Sequence, residues 1–105
     1  MFIRRMKDIE KNRIILRRGE VGNDEDGTPL LINHKGEGYR VNDTAISLWN
    51  MCNGITFQEL LNEVLRISSD DEVKVKKSLL EMLRQLNKVS LIEIKKIKEN
   101  SIVYR

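Results

Sequence analysis

Apolar and polar side chains alternate through roughly the first forty residues, which is the spacing of strands. Residues 13–21 contain Ile-Ile-Leu and predict a first strand, and residues 30–32 predict a second. Residues 38–41 predict a third, in which Tyr39 and Val41 share one face because strand side chains alternate with a period of two. This part of the chain therefore predicts a three-stranded antiparallel sheet, which needs helices to cover one of its faces.

The spacing then changes to that of helices, and a capping signal marks the start of each one. Asn42 is a good N-cap for a first helix. Thr56-Phe-Gln-Glu59 is a capping box that opens a second helix, and Ser69 with Glu72 has the spacing of another at the start of a third. The chain thus predicts three helices after the sheet.

The third helix, about residues 70–88, is the longest, and its apolar side chains cover a wide face. At about 100° per residue they fall within an arc of about 180°. They are Val75, Leu79, Leu80, Met82, Leu83, Leu86 and Val89. One flat contact needs a narrower stripe, so one flank of this helix predicts a second surface. Complete coverage by the sheet and the other two helices is the alternative.

The end of the chain returns to an alternating pattern. Residues 91–97 predict a strand, and residues 102–104 predict its return as a C-terminal β-hairpin. The predicted fold class is therefore α+β and winged helix-turn-helix-like. It combines an N-terminal three-stranded antiparallel sheet, three helices and the hairpin. We expect a single domain over residues 1–105, with a core of about 13–94 and an extension at 95–105.

Composition fits such a domain and narrows the compartment. The chain has 105 residues, 40% of them apolar and 33% charged, as is ordinary for one soluble domain. It lacks the run of roughly 18 apolar residues that a membrane span needs, and its start lacks the apolar run of a signal peptide. Cys52 is the only cysteine, so no intramolecular disulfide can form. We therefore expect a cytoplasmic protein.

Residues that carry chemistry are scarce. His34 is the only histidine and Cys52 the only thiol, so one chain cannot assemble four nitrogen and sulfur ligands for zinc. Gly36-Glu37-Gly38 lacks the third glycine and the following helix of a phosphate loop. The acids at 24–26 do not have the spacing of a calcium-binding EF-hand loop. We expect no catalytic residues, no metal and no cofactor, and therefore a binding protein rather than an enzyme.

Charge is distributed unevenly, and this bears on DNA binding. Residues 1–18 carry seven Lys/Arg against two acids, residues 19–75 carry four against eleven, and residues 76–105 carry eight against three. A winged-helix regulator of transcription is the alternative function. The start of its recognition helix would carry Asp70, Asp71 and Glu72, which oppose a polyanion. Lys95, Lys96 and Lys98 compensate only in part, so nucleic acid is the less favoured partner.

Peptide capture is the better interpretation of the same pattern. Residues 37–41 would form the last strand of the sheet, and an unpaired strand edge accepts an added strand. The flank of the third helix would form the other wall of a groove. An adaptor that docks through its C-terminal hairpin is a third alternative.

The order of these signals resembles the PqqD-like family. The resemblance covers roughly residues 13–94 and rests on the order and spacing of common helix-boundary motifs. In sequence order they are Val41-Asn42, Ala45 and Trp49, Asn53-Gly54, Thr56-Phe-Gln-Glu59, Leu83-x-x-Leu86 and Val89-Ser-Leu91-Ile92.

This resemblance implies a recognition element for ribosomally made precursor peptides, which binds the leader segment and presents it to a maturase, often a radical SAM enzyme. The family's leader adds as a strand beside the third strand and lies against the third helix. Carried over to this chain, the peptide-binding residues are Gly38, Tyr39, Arg40, Val41, Lys76, Leu80, Leu83 and Arg84. The lysines at 74, 76 and 77 depart from the family pattern and suit an acidic leader. A homodimer remains open.

Overall fold

Six strands and three helices make up residues 13–96, the part of the chain that the computed structural model describes. The strands are β1 (Arg13–Arg17), β2 (Glu20–Asn23), β3 (Pro29–Ile32), β4 (Gly38–Arg40), β5 (Asn53–Thr56) and β6 (Ile92–Lys96). The helices are α1 (Asp43–Met51), α2 (Phe57–Ile67) and α3 (Glu72–Lys88). The fold is α+β, as the sequence predicts.

The strands form two three-stranded antiparallel sheets rather than one. The β1 sheet has the order β5–β1–β6, and the β3 sheet has the order β2–β3–β4. The predicted N-terminal sheet is confirmed as the β3 sheet. Its first strand is β2, whose first two residues are the end of the single strand predicted over residues 13–21.

A break at Gly19 separates the two halves of that predicted strand. Gly19 has a φ of +88°, and a Cβ at this position would overlap the carbonyl oxygen of Ile32. Only glycine meets both conditions without strain. The chain therefore leaves the β1 sheet after Arg17, which lies opposite Ile92, and enters the β3 sheet at Glu20, which lies opposite Ile32.

Strand β5 was not predicted from the sequence. It pairs with β1, with Ile15 opposite Ile55 and Ile14 opposite Thr56. The Asn53-Gly54 pair was interpreted only as the end of the first helix, and Gly54 does adopt a φ of +100°. Because β5 is four residues long and is followed at once by α2, its sequence is dominated by capping signals.

Two of the three predicted caps are confirmed. The Asn42 side chain accepts from the Ala45 amide at 2.8 Å. The Thr56 hydroxyl accepts from the Glu59 amide at 3.1 Å while the Glu59 carboxylate accepts from the Thr56 amide at 3.0 Å. The third prediction is wrong: α3 begins after Asp71, whose carboxylate accepts from the Lys74 amide at 2.9 Å. A carboxylate at this N-cap interacts favourably with the positive end of the helix dipole.

One core lies between the β1 sheet and the helices. The apolar arc of α3 supplies its buried stripe, and the remaining buried side chains come from the strands, from α1 and α2, and from residues next to them. The α3 residues are Val75, Leu79, Leu83 and Leu86, and the others include Ile15, Leu31, Trp49, Phe57, Leu60 and Leu91. Trp49 connects α1 to the segment after β1 and to the residue before β6. Its indole N–H donates to the carbonyls of Leu91 at 2.8 Å and Arg18 at 3.1 Å.

Strand β6 confirms the first half of the predicted C-terminal hairpin. It pairs along its whole length with β1, from Arg13 opposite Lys96 to Arg17 opposite Ile92. The predicted return strand at 102–104 lies outside the described residues, so the winged-helix likeness stays a prediction. No helix within residues 13–96 has the length and apolar character to cross a bilayer.

Candidate functional site

Strand β4 is an edge of the β3 sheet, pairing within residues 13–96 only with β3. The hairpin that joins them closes with the Asn33 amide donating to the Glu37 carbonyl at 2.9 Å. Opposed residues in an antiparallel pair alternate between bonded and non-bonded positions. Leu31 and Tyr39 therefore take the next bonded position, and the backbone groups of the residues on either side of Tyr39 point away from β3. These residues are Gly38 and Arg40.

A groove runs between this open edge and α3. One wall is the end of β4 and the start of α1, and the other is the C-terminal half of α3. The lining residues are Tyr39, Arg40, Val41, Asn42, Ala45, Met82, Gln85, Leu86, Val89 and Leu91. We call this feature the β4–α3 groove. Most of its lining side chains are apolar, and Arg40 is the charged residue among them.

The predicted strand residues lie together at this groove. Tyr39, Arg40 and Val41 line it, and Gly38 begins the same edge. Tyr39 and Val41 are half-buried and pack against the core from the side that β4 turns towards the helices. The family resemblance implied these four positions, and their contact with a peptide stays a prediction.

The predicted residues of the third helix lie elsewhere on α3. Leu83 is 3% exposed and belongs to the core. Leu80 is half-buried against the core, Arg84 is exposed and forms an ion pair with Glu81 at 2.6 Å, and Lys76 is partly exposed nearer the start of the helix. None of these four lines the β4–α3 groove. Their contact with a peptide stays a prediction that this geometry does not favour.

The helix residues that do face the groove were only partly visible in the sequence. Met82 and Val89 belong to the predicted apolar arc and are half-buried against the core, whereas Gln85 is exposed and polar. The angular spacing of side chains along a helix gives the width of its apolar face, but it does not give the flank of the helix that a distant strand approaches. The useful signal was the position of Met82 and Val89 at one margin of the arc.

Arg40 and Asp24 form an ion pair across the outer face of the β3 sheet, with the guanidinium donating to the carboxylate at 2.6 Å. The pKa of Asp24 is lowered, chiefly by the hydrogen bond from the Thr28 amide and less by those from the Asp26 amide and Arg40. Desolvation, the second-largest effect, acts in the opposite direction. The Arg40 side chain is thus directed at the 24–28 loop, while its backbone faces the groove.

A second hydrogen-bonded group stands at the other end of β4. The Glu37 carboxylate accepts from the Asn33 side-chain amide at 2.9 Å and from the Tyr39 hydroxyl at 3.2 Å. These bonds, the Asn33 one first, lower the pKa of Glu37. The pKa of Tyr39 is raised, chiefly by desolvation and then by the nearby carboxylate. The aromatic ring at the groove therefore carries a neutral hydroxyl that is held in place.

A second depression lies between the three helices and touches the groove at one residue. Its apolar lining comes from Leu48 and Met51 of α1, from the end of α2, and from α3. The members from α2 and α3 are Val64, Ile67, Val75, Leu79 and Met82. Met82 also lines the β4–α3 groove, so the two depressions meet along α3.

The side chains that could carry out chemistry do not lie together in one site. Cys52 is fully buried, and desolvation raises the pKa of its thiol to about 12, which keeps it protonated. His34 is exposed in the β3–β4 turn. Within residues 13–96, no three His, Cys, Asp or Glu side chains are grouped so as to hold a metal ion. What the site offers is backbone hydrogen bonding beside an apolar surface.

Comparison with known proteins identifies the family. Searches of curated proteins and of solved structures returned no match. A family model described as Coenzyme PQQ synthesis protein D (PqqD) matches residues 27–92, which is more than half of the chain. The matched range runs from the loop before β3 to the first residue of β6 and includes every residue that lines the β4–α3 groove. The chain therefore belongs to the PqqD family.

Proposed function

We propose that this protein is a non-catalytic carrier that captures the leader segment of a ribosomally made precursor peptide and presents it to a modifying enzyme. The observation that carries the proposal is the open edge of β4 beside the apolar flank of α3. Membership of the PqqD family supports a peptide-binding accessory role in the biosynthesis of PQQ or of other ribosomally made, modified peptides.

The peptide binds by strand addition. The outward amides and carbonyls of Gly38 and Arg40 offer two bonding positions, which an extended peptide matches with residues two apart. Alternate side chains of the peptide then point towards α3, where Met82, Leu86 and Val89 provide apolar contacts. Backbone pairing supplies affinity for any extended segment, and the α3 wall selects the side chains.

The modifying enzyme in this proposal is a radical SAM maturase, as the family resemblance implies. The acidic character of the leader follows from the lysines at 74, 76 and 77, which lie on α3 nearer its start than the groove. A leader that extends past Met82 towards the start of α3 would meet this positive charge. A pull-down of the co-encoded maturase with and without the leader tests this part of the proposal.

The central test separates the backbone of Arg40 from its side chain. Arg40→Pro removes the outward amide and places a ring where the added strand would lie, whereas Arg40→Ala keeps the amide and removes only the guanidinium. With a synthetic leader from the neighbouring precursor gene, we expect Arg40→Pro to lose at least about tenfold in affinity by calorimetry, since one hydrogen bond contributes about 1 kcal/mol and the ring adds a clash.

We expect Arg40→Ala to bind within about twofold of the wild type. Circular dichroism and a urea midpoint check that both variants are folded. If a folded Arg40→Pro variant binds the leader as tightly as the wild type, the peptide does not bind by strand addition at β4.

DNA binding has less support. Asp70, Asp71 and Glu72 are exposed at the start of α3, where a recognition helix enters the major groove. A DNA duplex belongs in the same experiment as a second ligand. Tight, strongly salt-dependent binding of the duplex with no binding of the leader would replace the peptide proposal by the regulator alternative.

A further inference from the structure

Asn33 is the polar residue that the core encloses among residues 13–96, with only 4% of its surface exposed. Burying an amide costs free energy unless its donors and acceptors are paired. All of its bonding groups are used here. Its side-chain oxygen accepts from the backbone amides of Lys35 at 2.9 Å and Glu37 at 3.0 Å, which shapes the β3–β4 turn.

The side-chain nitrogen of Asn33 reaches across to the helix. It donates to the carbonyl of Val89 at 2.9 Å and to the Glu37 carboxylate at 2.9 Å. Val89 is the C-cap of α3 and lines the β4–α3 groove. The same side chain therefore shapes the turn that starts one wall of the groove and holds the last residue of the other wall.

Glu37 extends this arrangement to the aromatic ring in the groove. Its carboxylate oxygen accepts from both Asn33 and the Tyr39 hydroxyl, so the ring of Tyr39 is linked through two side chains to the end of α3. A tyrosine in an open groove has several accessible orientations. This connection selects one of them before any peptide arrives, which lowers the entropic cost of binding.

We propose that Asn33 and Glu37 are positioning residues for peptide capture: they set the width of the β4–α3 groove at the β3–β4 turn and fix the Tyr39 ring within it. This inference rests on the proposed function. It adds that the affinity of the groove depends on two residues that the peptide does not need to touch.

The test keeps the turn and removes the tie to the helix. In an Asn33→Asp/Glu37→Gln double variant, the aspartate oxygen still accepts from the turn amides and the glutamine amide can donate to the other oxygen. No donor then faces the Val89 carbonyl. The single variant Glu37→Gln is the matched control, because the glutamine oxygen can still accept from Asn33 and Tyr39.

We expect the double variant to lose about tenfold in affinity for the synthetic leader and Glu37→Gln to stay within about twofold. The NMR signals of the Val89 carbonyl carbon and the Tyr39 ring should move in the double variant and hardly at all in the control. A role confined to the turn predicts unchanged affinity and unchanged Tyr39 signals in the double variant, and that result would overturn the inference.

Two single substitutions outside the buried amide keep the inference testable if the double variant does not fold. Glu37→Ala and Tyr39→Phe each break the link to the ring while the hydrogen bond from Asn33 to the Val89 carbonyl stays in place. Each should lower affinity about threefold, with Glu37→Gln as the rescuing partner of the first. Wild-type affinity in both would refute the positioning of Tyr39. If the wild type binds no leader, the proposed function fails, whereas the Tyr39 ring signals still decide whether Asn33 controls the ring.

Discussion

The two sheets of the domain are each built from three antiparallel strands, yet they differ in how much of their surface is buried. In the β1 sheet, the central residue Ile15 is fully buried and the sheet closes over the core. In the β3 sheet, Leu31 is equally buried, but Val21 on β2 is 51% exposed and the β4 edge faces the groove. The first sheet completes the core, and the second places the outward backbone groups of β4 beside the groove.

The attachments of the two sheets differ in the same way. The β1 sheet is fastened by Trp49, whose ring also lies under the Arg17 guanidinium at 5.6 Å, and by an ion pair between Arg18 and Glu93. The β3 sheet is tied to the end of α3 by the Asn33 side chain, which donates to the Val89 carbonyl. Changes in the β1 sheet should therefore alter stability, and changes in the β3 sheet should alter binding.

The largest effect is expected in the β1 sheet. Ile15→Ala leaves a cavity at the centre of the core and should lower the free energy of unfolding by about 2–5 kcal/mol. Val21→Ala in the exposed β2 is the matched control and should change it by less than about 0.5 kcal/mol. Urea unfolding followed by circular dichroism measures both. Similar losses in the two variants would contradict the contrast between the sheets.

A smaller effect is expected in the groove. Met82→Ala removes apolar contacts from the α3 wall and should weaken leader binding about fivefold, or about 1 kcal/mol. Ile67→Ala is the control, because Ile67 is also apolar but is 75% exposed and does not line the groove. Calorimetric titration of both variants with one leader peptide makes the comparison. Equal weakening by Ile67→Ala would shift the contact towards the depression between the helices.

The smallest effect is a dependence on pH at the end of β4. The pKa of Glu37 is held below its ordinary value of 4.5, first by Asn33 and then by Tyr39, with lesser help from Lys35 and His34. A depressed pKa in the folded state means that the stabilisation is complete above about pH 4.5 and is lost as the pH falls through the folded value.

We therefore expect the Tyr39 ring signals to shift in acid, at a midpoint below 4.5, while the core signals of Ile15 stay constant. Glu37→Gln should remove this step, since its amide does not titrate in that range. A shift of the same size in that variant would assign the acid step to another carboxylate.

The sequence could predict those features that depend on neighbours along the chain. The caps at Asn42 and Thr56 are local hydrogen bonds, and the alternation that places Tyr39 and Val41 on one face is a local property of strands. Tyr39, Arg40 and Val41 accordingly line the β4–α3 groove, and their contact with a peptide stays a prediction.

Features that depend on distant contacts could not be predicted in the same way. The need for glycine at 19 comes from a carbonyl thirteen residues away at Ile32, and β5 is a strand only because β1 lies beside it. Similarly, Met82 rather than Leu80 faces the groove because of where the β3–β4 hairpin is held, and Asn33 holds it through Val89.

The conformation of Gly19 also limits which variants of this chain can fold. Gly27 and Gly36 share its positive φ, at +84° and +82°, but a Cβ at either meets no atom within 4 Å. Asparagine tolerates such a backbone and should be accepted at both positions in a saturation library selected for folding. At position 19 any side chain would overlap the Ile32 carbonyl, so the folded members of the library should all have glycine there.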